Sequence, residues 1–65
     1  MTIIVNGETL ETSAETLAEL LEAKGLSETK AATAVNEAFV PAAKRAETKL
    51  QPGDRIEILT PMQGG

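Results

Sequence analysis

The first eleven residues leave this chain little choice of local structure. Thr2-Ile3-Ile4-Val5 is β-branched throughout and reads as a strand. Asn6-Gly7 follows, and a two-residue type I′ turn needs positive φ at both central positions, which these residue types accept most readily. Glu8 to Glu11 then alternates polar and apolar as a returning strand. The chain therefore opens with a β-hairpin.

A helix comes next. Thr12 and Glu15 have the spacing of a capping box, with Thr12 at the N-cap and Glu15 reaching back from the third helical position. Leu17, Leu20, Leu21 and Lys24 recur at helical spacing, Ala14 and Ala18 keep one side slim, and Gly25 sits where a left-handed C-cap belongs. The spacing predicts a helix over Ala14 to Lys24. Glu15, Glu19 and Glu22 fall on its other side, most simply as a solvated face.

After a polar connection over Leu26 to Lys30, Ala32 to Val35 reads as a strand, although its alanine-rich start also suits a helix. Asn36-Glu37 is the turn and Ala38-Phe39-Val40 the return, which Pro41 ends because proline offers no ladder donor. Ala42 to Glu47 suits a short helical turn. Gln51-Pro52-Gly53-Asp54 has turn chemistry. Arg55 to Thr60 alternates cleanly, placing Ile56 and Ile58 inward and Arg55, Glu57 and Leu59 outward. A hairpin, a packed helix and returning strands make an α+β arrangement. One sheet face lies on the helix leucines, and the other meets water or a partner. The boundaries follow: a domain over residues 1–60 and a flexible tail over 61–65.

Composition narrows the function. The 65 residues hold no Cys, His, Tyr or Trp, so nucleophile pairs built on His or Cys are excluded, as are ordinary zinc, haem and iron–sulfur sites. The glutamates of the helix lack the fixed oxygen ligands and carbonyls a divalent cation requires, so no metal site is expected. A net charge of −4 argues against nucleic acid or an anionic membrane as partner. That charge is uneven: residues 1–28 carry −5 and residues 30–49 carry +2, an asymmetry that can steer a docking partner or simply be solvated surface. Met1 runs into a strand without a charged leader, and no apolar stretch approaches membrane-spanning length. These features fit a cytoplasmic monomer that works by binding and is not itself an enzyme.

What remains is the end of the chain, Pro61-Met62-Gln63-Gly64-Gly65. A terminal Gly-Gly is either a frayed end or a functional one. Without Cβ atoms it can thread a narrow channel and present its carboxylate to another protein's active site. That carboxylate is ionised at neutral pH and is a poor electrophile until it is activated, most directly as a mixed anhydride with AMP.

The order of these segments resembles the ubiquitin-like β-grasp sulfur carriers, in particular the ThiS-type carriers of thiamine biosynthesis. The resemblance covers the full length. It is carried by Val5-Asn6-Gly7-Glu8, Thr16-Leu17-Ala18-Glu19-Leu20-Leu21, Ala34-Val35-Asn36, Val40-Pro41, Leu50, Gly53 to Thr60 and Gly64-Gly65. It implies a β-grasp with a mixed sheet of four to five strands on one main helix. It also implies that no cofactor is bound by the chain. An E1-like adenylyltransferase would use ATP and magnesium to adenylate Gly65, and a persulfide donor would then convert it to a thiocarboxylate. Thiazole synthase would take the sulfur. Gly64 and Gln63 would belong to the threading tail, and Leu59, Met62 and Ile4 to an apolar docking patch, with scattered surface apolarity as the plain alternative.

Two departures stand out. Such carriers often have Asn-Gly where this chain has Asn36-Glu37, so a looser or different turn is expected there. They often have Arg and Trp where Ala42 and Arg45 stand, so looser packing is expected after Pro41. Competing readings are a molybdopterin-synthase small subunit or another Gly-Gly sulfur donor, a ubiquitin-like modifier, and a plain β-grasp interaction module.

Overall fold

The N-terminal hairpin forms as read. In the computed structural model, which describes residues 1–26 and 30–60, β1 (Thr2–Val5) pairs antiparallel with β2 (Glu8–Glu11). Asn6 and Gly7 lie at φ +51° and +84°, the positive pair that type I′ requires. The second hairpin joins β3 (Ala32–Val35) to β4 (Ala38–Val40). Its turn is not of a different type: Asn36 and Glu37 sit at φ +51° and +73°. Strand twist favours the primed turn, and Glu37 takes the left-handed conformation without being glycine.

β5 (Arg55–Leu59) is the centre of a five-stranded mixed sheet of order β2-β1-β5-β3-β4. It runs parallel to β1, with Val5 beside Ile56, and antiparallel to β3, with Thr33 beside Ile58. The Gln51–Asp54 turn that launches it has Pro52 and Gly53 at its centre, Gly53 at φ +85°, and closes with Asp54 N–H donating to the Gln51 carbonyl at 3.0 Å.

The helix begins later than the sequence pattern predicts. α1 spans Leu17–Ala23, and its N-cap is Thr16, whose hydroxyl accepts from the Glu19 N–H at 3.2 Å. Glu19 reaches back to accept from the Glu15 N–H at 2.9 Å. Thr12 instead accepts from the Ala14 N–H at 3.0 Å, making a local turn. The reason for the shift is tertiary. Thr16 is extended and bridges Lys49 in antiparallel fashion: Leu50 N–H donates to the Glu15 carbonyl and Leu17 N–H to the Thr48 carbonyl, both at 2.9 Å. Those contacts are incompatible with a helix starting after Thr12. The far end closes with a Schellman motif, Gly25 N–H to the Glu22 carbonyl and Leu26 N–H to the Leu21 carbonyl, with Gly25 at φ +76°.

The core lies between one sheet face and this helix. Ile3, Val5, Ile56 and Ile58 from the sheet meet Ala14, Leu17, Leu20 and Leu21, with Val40 and Leu50 closing the sides. The one buried polar residue among those described is Thr33, whose hydroxyl donates to the Val40 carbonyl at 2.8 Å. A 3-10 helix over Ala42–Glu47 follows Pro41 and buries none of its own side chains. It is held by a polar clip: Arg45 Nε donates to the Thr33 hydroxyl at 3.1 Å and its Nη2 to the Ala31 carbonyl. The loose apolar packing expected there is real, and the arginine compensates for it. The whole is the β-grasp arrangement, with five strands wrapped on one helix.

Candidate functional site

Strand register fixes which side chains face away from the helix. Ile56 and Ile58 point into the core, so Arg55, Glu57 and Leu59 must point out. Directly opposed residues share a face, which puts Ile4 beside Arg55, Ala34 beside Glu57, Ala32 beside Leu59, and Phe39 beside Ala34. The open face is therefore an apolar surface with charges set along its central strand. Leu59 is 71% exposed and Phe39 69%, the two most exposed large apolar side chains among the described residues.

Part of this face is a shallow open groove of about 450 Å³ between the two hairpin turns, lined by Ile4, Asn6, Gly7, Glu37, Arg55, Glu57 and Leu59. Arg55 Nη2 approaches Glu37 Oε2 at 3.5 Å across its rim, an exposed pair of small energetic weight. Ile4 is half-buried in it. Two of the residues expected to dock partners, Ile4 and Leu59, are thus brought into one groove. Met62, Gln63, Gly64 and Gly65 lie outside the described residues, as does the proposed tail over 61–65. Leu59 is the last strand residue and precedes those positions in sequence by Thr60 and Pro61.

Phe39 is the candidate that sequence reasoning missed. A lone aromatic in a small domain is expected in the core. The signal against that was present, because alternation around the buried Val40 puts its neighbour on the opposite face. Using it required knowing that β4 packs on a single core-facing side.

The site has little chemistry of its own. Among the described residues no group of three or more acidic side chains could hold a metal ion, and no helix is long and apolar enough to cross a membrane. At Glu11 the Thr2 hydroxyl, and then the N-terminal ammonium at 3.3 Å, hold the carboxyl below the usual range. It lies at the sheet edge, away from the groove.

The chain matches the model of the ThiS family over residues 3–65. Among solved structures it is similar to that of a thiamine biosynthesis protein (ThiS) from Geobacter metallireducens. The TM-score is 0.81 and the sequence identity 28%, with 100% of both chains covered. No curated protein matches it.

Proposed function

The chain belongs to the ThiS family, and on that premise we propose that it is a sulfur carrier for thiamine biosynthesis whose working atom is the carboxyl carbon of Gly65. The observation that carries this reading is the extent of the family match: it runs through Gly64-Gly65, on a domain whose composition offers no catalytic pair. An ionised carboxylate does not accept a sulfur nucleophile, so it must first be activated. One carboxylate oxygen of Gly65 attacks the α-phosphorus of ATP on an E1-like adenylyltransferase, with magnesium, and pyrophosphate leaves. The outer sulfur of a persulfide donor then attacks the acyl carbon and displaces AMP to give an acyl disulfide. A thiol cleaves its S–S bond, taking the donor sulfur as a disulfide and releasing the thiocarboxylate that thiazole synthase consumes. ATP and magnesium belong to the partner enzyme.

Docking is assigned to the open sheet face. Ile4 and Leu59 supply apolar contact there, Met62 would extend it along the chain, and the exposure of Phe39 on the same face widens it. Exposed apolar groups clustered on one side, rimmed by charge, are the usual make-up of a transient interface.

The test uses the absence of cysteine. The chain is incubated with the candidate adenylyltransferase, ATP, magnesium and a sulfide source, then treated with a thiol alkylator and mapped by mass spectrometry. Alkylation at Gly65 is expected, and a variant lacking Gly65 should show none. Deletion of the gene should cause a thiamine requirement that thiazole relieves. Adenylation without sulfur transfer would favour a protein modifier. A molybdopterin defect without a thiamine requirement would favour the synthase-subunit reading. A Gly65 untouched by every activating enzyme would leave an interaction module.

A further inference from the structure

β1 stops pairing with β5 before β5 ends. Its last backbone contact is Asn6 N–H to the Ile56 carbonyl at 2.9 Å, after which β1 turns away while β5 continues to Leu59. Ile58 is thereby left with an N–H and a carbonyl facing the space that β1 has vacated, in a residue only 5% exposed. Such groups need partners. The Asn6 side chain supplies both: its Oδ1 accepts from the Ile58 N–H at 2.9 Å and its Nδ2 donates to the Ile58 carbonyl at 3.1 Å. The amide acts as one more peptide unit of the ladder, closing a link across 52 residues of sequence.

Asn36 does the equivalent at the other end of β5. Its Oδ1 accepts from the Arg55 N–H and its Nδ2 donates to Asp54 Oδ1, both at 3.0 Å. The central strand is therefore pinned at its start by one turn asparagine and at its finish by the other. Only the Asn6 clamp lies next to the point where the chain leaves the sheet toward Gly65.

We propose that Asn6 is a positioning residue for the sulfur-carrying end: by holding Ile58 it fixes the end of β5, the anchor that precedes that end in sequence, and with it Leu59 in the groove. This rests on the carrier reading of Gly65. Glycine at position 6 would keep the positive-φ turn and lose only the clamp, so folding and clamping are separable. A reacting end delivered from a loosened anchor is held in productive geometry for less of the time, and small losses of position cost rate heavily.

The experiment compares Asn6→Gly with Asn36→Gly in the full chain. Amide hydrogen exchange on the free protein should rise about tenfold at Ile58 in the first and at Arg55 in the second, for loss of hydrogen bonds of ordinary strength. In adenylation by the activating enzyme, Asn6→Gly should lower kcat about tenfold with KM changed less than about twofold, whereas Asn36→Gly should leave kcat within about twofold. An Ile58 amide that stays protected in Asn6→Gly overturns the clamp. Equal losses of kcat in both variants, or no loss in Asn6→Gly, overturn the positioning role. A wild-type chain that no activating enzyme adenylates overturns the carrier reading instead, while exchange at Ile58 still decides the clamp.

Discussion

The two hairpins share a turn and differ in nearly everything that holds them. Both use a type I′ turn with asparagine first, and both asparagines grip β5. The N-terminal hairpin has glycine in second place and is anchored by apolar burial, with Ile3 fully buried and Val5 nearly so. The second has Glu37 in that place. Its most buried residue is Thr33, which serves a hydrogen-bond network with Val40 and Arg45. Identical turn geometry thus arises from two different supports. Strand twist and asparagine define the turn, and glycine lowers its cost without being required.

Removing the apolar support should have the largest effect. Ile3→Ala deletes a wholly buried side chain between sheet and helix and should cost about 3–4 kcal/mol. In a domain of this size that is most of the total, so urea denaturation should show a midpoint shifted close to zero. The polar support should matter less. Arg45→Ala releases the 3-10 helix from Thr33 and Ala31 and should cost about 1–2 kcal/mol, with new amide exchange over residues 42–47 and little change in β1–β2. If Arg45→Ala proves as damaging as Ile3→Ala, the contrast between the two supports fails.

The turns themselves come next. Gly7→Ala places a side chain at φ +84° where nothing lies within 4 Å of the added Cβ, so its cost is conformational and about 1 kcal/mol. Glu37→Gly relieves a similar strain but frees the unfolded chain, and should stabilise by about 0.5–1 kcal/mol. Opposite signs of these two changes, measured by thermal melts, would show that one conformation is imposed on both turns.

The smallest effect concerns the outer edge of the first hairpin. Glu11 has a lowered pKa in the folded chain, so its stabilising contribution is present above the ordinary carboxylate range and is lost as pH falls through the lowered value. Glu11→Gln should therefore lower stability slightly at neutral pH and leave the acid limit almost unchanged, which flattens the acid side of the profile. A variant as acid-sensitive as the wild type would remove Glu11 from the account.

Much of this was legible from short stretches of sequence. Asn6-Gly7, the alternation of Arg55 to Thr60, the helical leucines and the left-handed Gly25 each report backbone preferences or periods decided within a few residues. Leu59 followed from the same alternation, Ile4 was expected beside it from the family resemblance, and the two do share a face. The reading of the terminal Gly64-Gly65 rests on chemistry alone, because glycine and a carboxylate have properties independent of the fold.

Other features were decided only when distant segments met. Thr12-x-x-Glu15 and Thr16-x-x-Glu19 are equally good caps on paper, and strand-like contacts from residues 48–50 selected the second. Nothing near Glu37 announces a positive φ; the twist of β3 and β4 requires it. Phe39 faces outward because Val40 and Ala38 share the inner side of an edge strand, and Arg45 became a clip because Thr33 lies within its reach. The grip of Asn6 on Ile58 spans almost the whole chain. A local signal can state what a segment prefers, but hydrogen-bond partners and faces belong to pairs of segments, and those pairs exist only in the folded protein.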